Sequence, residues 1–255
     1  MDLLKVCKAE WTKILRKKIT LSLLVGLLIP IFYGLGIYLE WSFMQISVEE
    51  PVSALENAFV MWVVLSFTTV PHFLFVMISV NNFARELEGG QIRNLMARGI
   101  SRKKLILSKV IVHAALVIAF YLLFIAVSVA AYYAFIANSP IGSGTFMNLV
   151  DSAVTIASNM IYITDILLVS SVAFLIGLYF TPFKSFMLSM AFMFGVMSFN
   201  FFPYIRLLSP SYTAALVDSG AMAVSTGIIM VFVYLLLAAV PVFFLIKKFN
   251  KMDIT

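Results

Sequence analysis

The stretch Ile19–Leu39, ITLSLLVGLLIPIFYGLGIYL, is 21 residues without a formal charge, bounded by Lys18 and Glu40. As a helix rising about 1.5 Å per residue it is roughly 32 Å long, close to the hydrocarbon thickness of a bilayer. Inside hydrocarbon, backbone N–H and C=O groups must be satisfied within their own segment or in a closed barrel. A barrel strand would alternate polar and apolar positions, and this run does not, so it reads as a spanning helix. It is too long for the apolar core of a secretory signal, and no small-x-small cleavage site follows, so the helix is expected to be retained.

Five further apolar runs follow. Span two is expected at 58–80, interrupted only by His72, and span three at 105–137. The 28 residues after Lys109 carry no charge, so span three must tilt or protrude. Spans four, five and six are placed at 162–180, 185–205 and 220–246. Residues 2–18 set Leu3, Leu4, Cys7, Trp11, Ile14 and Leu15 on one helical face, with most lysines elsewhere, the pattern of a helix lying on the membrane surface. With 62% hydrophobic and 12% charged residues and a mean hydropathy of +1.04, an ordinary soluble domain is excluded. The expected fold is all-α and polytopic: a single transmembrane domain over 1–255, with six spans, an N-terminal interfacial helix and no internal repeat.

The formal charge of +6 is distributed as a topology signal rather than as a nucleic-acid footprint. Of 18 Lys and Arg residues, 17 flank the ends that six spans place on one side, and only Arg206 falls opposite. The opposite loops hold Glu40, Glu49, Glu50, Glu56, Asp151, Asp165 and Asp218. Both termini are therefore expected in the cytoplasm, and Tyr38, Trp41, Trp62, Tyr132, Tyr133 and Tyr162 are expected as aromatic anchors at the outer interface. Cys7 is the only cysteine, so no intrachain disulfide forms.

Between spans two and three, residues 81–110 read NNFARELEGGQIRNLMARGISRKKLILSKV. Phe83 and Leu87 continue span two, Gly89 and Gly90 permit a stop, and Ile92, Leu95 and Met96 form the apolar face of a short helix. Gly99 ends that helix, and Ser101 is placed to cap span three, with Arg102, Lys103 and Lys104 at headgroup level. A short helix across the mouth of a bundle suits docking into a groove on another protein; the same segment also reads as a topology-setting loop that binds anionic lipid.

The string Phe83-Ala84-Arg85-Glu86, with Glu88, Gly90, Leu95, Ile100-Ser101-Arg102 and Lys109, resembles the cytoplasmic loop of ABC-2 type transporter permeases. Gln91 stands where that family usually has Thr, and Gly99 where it usually has Pro. The resemblance extends to the layout of nearly the whole chain. It implies a cytoplasmic coupling helix, with Glu86, Glu88, Gly90, Gln91, Arg93, Leu95, Ser101 and Arg102 in the segment that contacts a separate ATPase subunit. Glu86 and Glu88 would help hold the cytoplasmic gate. The partners implied are an ABC ATPase subunit, which would bind ATP and Mg, a second permease copy or paired permease, and the lipid bilayer; the expected location is a bacterial plasma membrane. Small size without an outer domain resembles permeases that export antimicrobial or toxin peptides or confer immunity to them.

No G-x-x-x-x-G-K-[ST] occurs, so this chain is expected to bind no cofactor and to catalyse nothing itself. H-E-x-x-H is absent, and the two histidines, His72 and His113, are expected to be packed or hydrogen-bonded. Asp165, at the expected outer end of span four, lies either within the span as a functional carboxylate or in the interface. Met190, Met193 and Met197, with Met187, recur at helical spacing among phenylalanines; they form either an adaptable wall for an amphipathic peptide, drug or lipid-like substrate, or ordinary packing. Ala173 and Gly177 fit a small-xxx-small contact. The competing function is a stand-alone secondary transporter or channel, which would need coupling-ion residues and repeat symmetry.

Overall fold

The computed structural model describes residues 2–41, 51–147 and 152–252. Glu49, Glu50 and Asp151 lie outside them. Among the described residues there is no β-strand, only an isolated bridge between Val52 and Gly142. Among the described residues five helices are long and apolar enough to cross a membrane, six if a bent helix pair counts as one span.

The N-terminal helix α1 (Leu3–Leu15) ends in a turn, and a short α2 (Lys18–Leu21) leads into α3 (Leu23–Tyr38). The bundle-facing side of α1 is Val6, Glu10 and Ile14, all buried, while Leu4 and Leu15 point outward. Of the face expected from Leu3, Leu4, Cys7, Trp11, Ile14 and Leu15, Ile14 is buried and Cys7 and Trp11 pack against the core, while Leu4 and Leu15 are exposed. The helix packs on the third span through a side that also includes the Glu10 carboxylate.

Expected span two is not one helix. Ser53 caps α4 (Ala54–Phe67) in a capping box with Glu56, its Oγ accepting from the Glu56 N–H at 3.4 Å and Glu56 Oε2 accepting from the Ser53 N–H at 3.3 Å. The chain then breaks at Thr68 and Thr69 before α5 (Val70–Asn82), and the two halves bend by 66°. Thr69 sits at φ 58°, and Pro71 in the first turn of α5 lacks the N–H that a continuous helix requires.

The third span is α8 (Arg102–Ala131), extended by a π-helical turn over Tyr132–Ile136. These 35 residues exceed the bilayer core, since a helix of that length is about 52 Å. The fourth, α9 (Ser152–Ile176), begins and ends earlier than expected. The fifth, α10 (Pro182–Ser198), is followed by a 3₁₀ turn and stops at Phe201, because Pro203 forces Phe202 into extended backbone. A helix not expected, α11 (Pro210–Asp218), folds back against α9 before α12 (Val224–Phe249) completes the bundle.

The principal core brings α1, α3, α4, α5, α8, α9, α11 and α12 together. Trp62 is fully buried there, edge-on to Tyr121 at 4.9 Å and Phe124 at 5.4 Å, so it is no interfacial anchor. Tyr132 and Tyr162 are also buried; Tyr38 and Tyr133 stay exposed. A second cluster at the basic end joins Val6, Ile92, Ile100, Leu245 and Phe249, and so gathers the first helix, the end of the last helix and the 82–104 segment on one face.

Candidate coupling site

Two short helices follow α5: α6 (Ala84–Glu88) and α7 (Gln91–Ala97). Gly90, at φ 70°, starts α7, and Gly99, at φ 81°, ends the turn after it. Ile92 is buried in the basic-end cluster, with Leu95 and Met96 packed against it. Gln91, Arg93, Asn94 and Arg98 are exposed on the other face, as is Glu88 on α6. Ser101 caps α8, its Oγ accepting from the Lys104 N–H at 3.4 Å. The Arg102 guanidinium does not reach outward to headgroups. It donates to the carbonyls of Phe249 and Asn250 at 3.2 and 3.1 Å and to that of Met252, capping the end of α12.

Glu86 turns inward and is 3% exposed. Its Oε2 accepts from Lys109 at 2.7 Å and from Lys13, and its Oε1 accepts from Lys17 at 2.6 Å. Lys109, fully buried on α8, also donates to Glu10 Oε2 at 2.9 Å, and Lys13 to Glu10 Oε1 at 3.3 Å. Lys17 further donates to the Asn81 carbonyl at 3.2 Å. Three ammonium groups thus share two carboxylates, and every carboxylate oxygen accepts at least once. Charge-assisted bonds of this density offset the desolvation that would make any single member prohibitive. At Lys13, burial pulls the ammonium toward the neutral form, but Glu86 and Glu10 outweigh it and hold the pKa above the usual lysine value.

The cluster ties α1 and the α1–α2 turn to α6 and α8 at the point where the bundle meets α7. Beside it a cavity of about 630 Å³ is lined by Lys17, Lys18, Arg85, Glu86 and Gln91. Glu10, Lys13 and Lys17 were not singled out from the sequence. A signal existed: Glu10 is the only acid between Lys5 and Lys18 and lies on the Val6–Ile14 helical face.

Residues 6–200 match the profile of a family described as ABC-2 family transporter protein. The chain belongs to that family. No curated protein gives a match. ABC-2 permeases are the transmembrane transport component and pair with an ABC ATPase subunit.

Deeper in this ABC-2 chain, Asp165 is the fourteenth residue of α9 and is 4% exposed. His72, in the first turn of α5 just past the helix break, lies 3.1 Å from it, Nε2 to Oδ2. His113 is likewise hydrogen-bonded, with Nε2 3.1 Å from Ser79 Oγ. Met193 is 1% exposed among Val76, Val80, Val169 and Ala173, so it is interior packing between α5, α9 and α10 and not an open wall. Met190 and Met197 are half-buried around it. Ala173 is buried, and a side chain at Gly177 would meet Ala84 at 3.1 Å, a close approach of α9 to α6.

Proposed function

We infer that this chain is the membrane permease subunit of an ABC exporter in a bacterial plasma membrane, with both termini cytoplasmic. An ATPase subunit docks on the exposed face of α7, and two copies, or this chain and a paired permease, enclose the pathway. The observation that carries this reading is the construction of 83–104. The apolar side of α7 is anchored on the bundle, its polar side is unengaged by the bundle, and the Glu86–Lys109 cluster immediately behind it connects to α1 and α8. A push on α7 therefore reaches three elements as one body, the kind of rigid transmission that switches a bundle between two arrangements. The positive-inside distribution supports the orientation.

The substrate is proposed to be an amphipathic peptide, a drug or a lipid-like molecule, which meets the side of α10 that carries Met190 and Met197. The test is co-purification with ATPases encoded beside the gene, followed by ATPase stimulation in nanodiscs. Arg93→Glu should abolish association while leaving thermal unfolding unchanged, because Arg93 is exposed; binding that survives the charge reversal sinks the coupling role of α7.

A second reading, a stand-alone secondary transporter, is favoured by one observation: the His72–Asp165 pair within the spans beside a broken helix, where coupling ions are bound in such proteins. Transport driven by a proton gradient without any ATPase, lost in Asp165→Asn, would select it over the ATP-driven reading.

A further inference from the structure

Between α8, α9 and α12, a cleft of about 240 Å³ opens on the flank of the bundle, apart from the charge cluster and from α10. Its walls are mostly apolar, including Val110, Leu167, Phe174 and Val242. Leu235 and Ala239, both exposed, stand at the mouth, so the cleft opens on the outer surface of the bundle rather than into its interior.

Three polar residues break the apolar lining, His113, Ser170 and Ser171; His113 and Ser170 are each 2% exposed, and His113 Nδ1 and Ser170 Oγ have no hydrogen-bond partner. The tautomer of His113 follows from its neighbour. We assign the one proton of Ser79 Oγ to the Phe75 carbonyl at 2.9 Å, which makes the oxygen an acceptor toward His113 and puts the N–H on His113 Nε2. Nδ1 is then a bare lone pair. The third polar residue of the lining, Ser171, is satisfied by donation to the Leu168 carbonyl at 2.8 Å, whereas Ser170 makes no such bond. A buried acceptor and a buried hydroxyl left unpaired in a hydrocarbon setting are costly, and native structures rarely keep such groups empty-handed.

A hydroxyl answers both: its proton goes to Nδ1 and its oxygen accepts from Ser170. The apolar remainder suits one alkyl chain, since the volume falls below the roughly 300 Å³ at which drug-sized pockets begin. We propose that the cleft between α8, α9 and α12 is an intramembrane site for the hydroxyl-bearing end of a single-chain amphiphile that enters laterally from the bilayer. This goes beyond the transport reading and does not depend on it.

The test uses the full chain in nanodiscs and a medium-chain alkanol carrying a diazirine, with cross-linked peptides mapped by mass spectrometry. Labelling is expected within 110–114, 167–174 and 235–242, competed by excess decanol and not by decane. His113→Phe with Ser170→Ala should weaken labelling by about tenfold or more, since both hydrogen bonds of the hydroxyl are lost. Ala239→Trp, a change at the exposed mouth that leaves both polar residues in place, should abolish it without lowering the unfolding temperature. Equal competition by decane, labelling indifferent to these variants, or labelling scattered over the lipid-facing helices would each overturn the proposal, the first by reducing the cleft to an unspecific greasy groove.

Discussion

Glu86 is the residue through which α6 is tied to α1 and to α8, accepting from Lys13, Lys17 and Lys109. Glu86→Gln should leave Lys109 buried with Glu10 as its only carboxylate, a loss of about 3 kcal/mol or more by the usual cost of breaking a buried pair. Because Cys7 is half-buried on α1 and is the only cysteine, its alkylation rate reports the same event. Burial and then Glu10 push the Cys7 thiol up, so it should react slowly in the wild type and several times faster in Glu86→Gln; an unchanged rate would mean that α1 is held by its apolar contacts alone. The pH dependence follows from Lys13. Its folded pKa lies above the ordinary value of 10.5, so its stabilisation is complete below that value and is lost as pH rises through the raised one. Near neutrality Lys13 should add stability but no pH dependence, and Lys13→Met should lower the unfolding temperature there and flatten the alkaline fall above about pH 10.5. Glu86 was legible in the sequence as a motif position, but its partners Lys13 and Lys17 were not, since they lie 73 and 69 residues away along the chain.

The helix break in the second span belongs to the scale of elements. Apolar content alone reads 58–80 as one helix, and the capping box at Ser53 and Glu56 and the Thr-Thr-Val-Pro sequence at 68–71 are what divide and extend it. Thr69 is β-branched and left-handed, a conformation that costs about 1–2 kcal/mol for such a residue. Thr69→Asn should therefore raise the unfolding temperature, since asparagine tolerates that region; a fall would show that the hydroxyl or methyl of Thr69 has a packing role that outweighs the strain. The 82–104 segment was the most legible element: helix, break, short helix, break and capped helix all occur, because glycine and N-cap chemistry act within a few residues. Arg102 was not legible in the same way, as its partners are carbonyls at the far end of the chain.

For the whole molecule, the packing of Val6, Ile92, Ile100 and Phe249 in one cluster places the first helix, the end of the last helix and the 82–104 segment on the same face. If that face is cytoplasmic, a membrane-impermeant maleimide should label Cys7 in inverted vesicles and not in intact cells; the reverse pattern would invert the topology and remove the ATPase docking face from the cytoplasm. Read alone, the sequence already carries the helical, membrane-embedded character of the chain and the end of the bundle at which its positive charges gather. These follow from local quantities: run length, the cost of unpaired backbone in lipid, and the sign of flanking residues. Which polar groups meet depends on tertiary packing. Glu10 with Lys109, His72 with Asp165, and Trp62 in the core instead of the interface all depend on which face of each helix turns inward. Within helices that are apolar all round, hydrophobicity does not specify that rotation. Packing and the need to pair buried charge do.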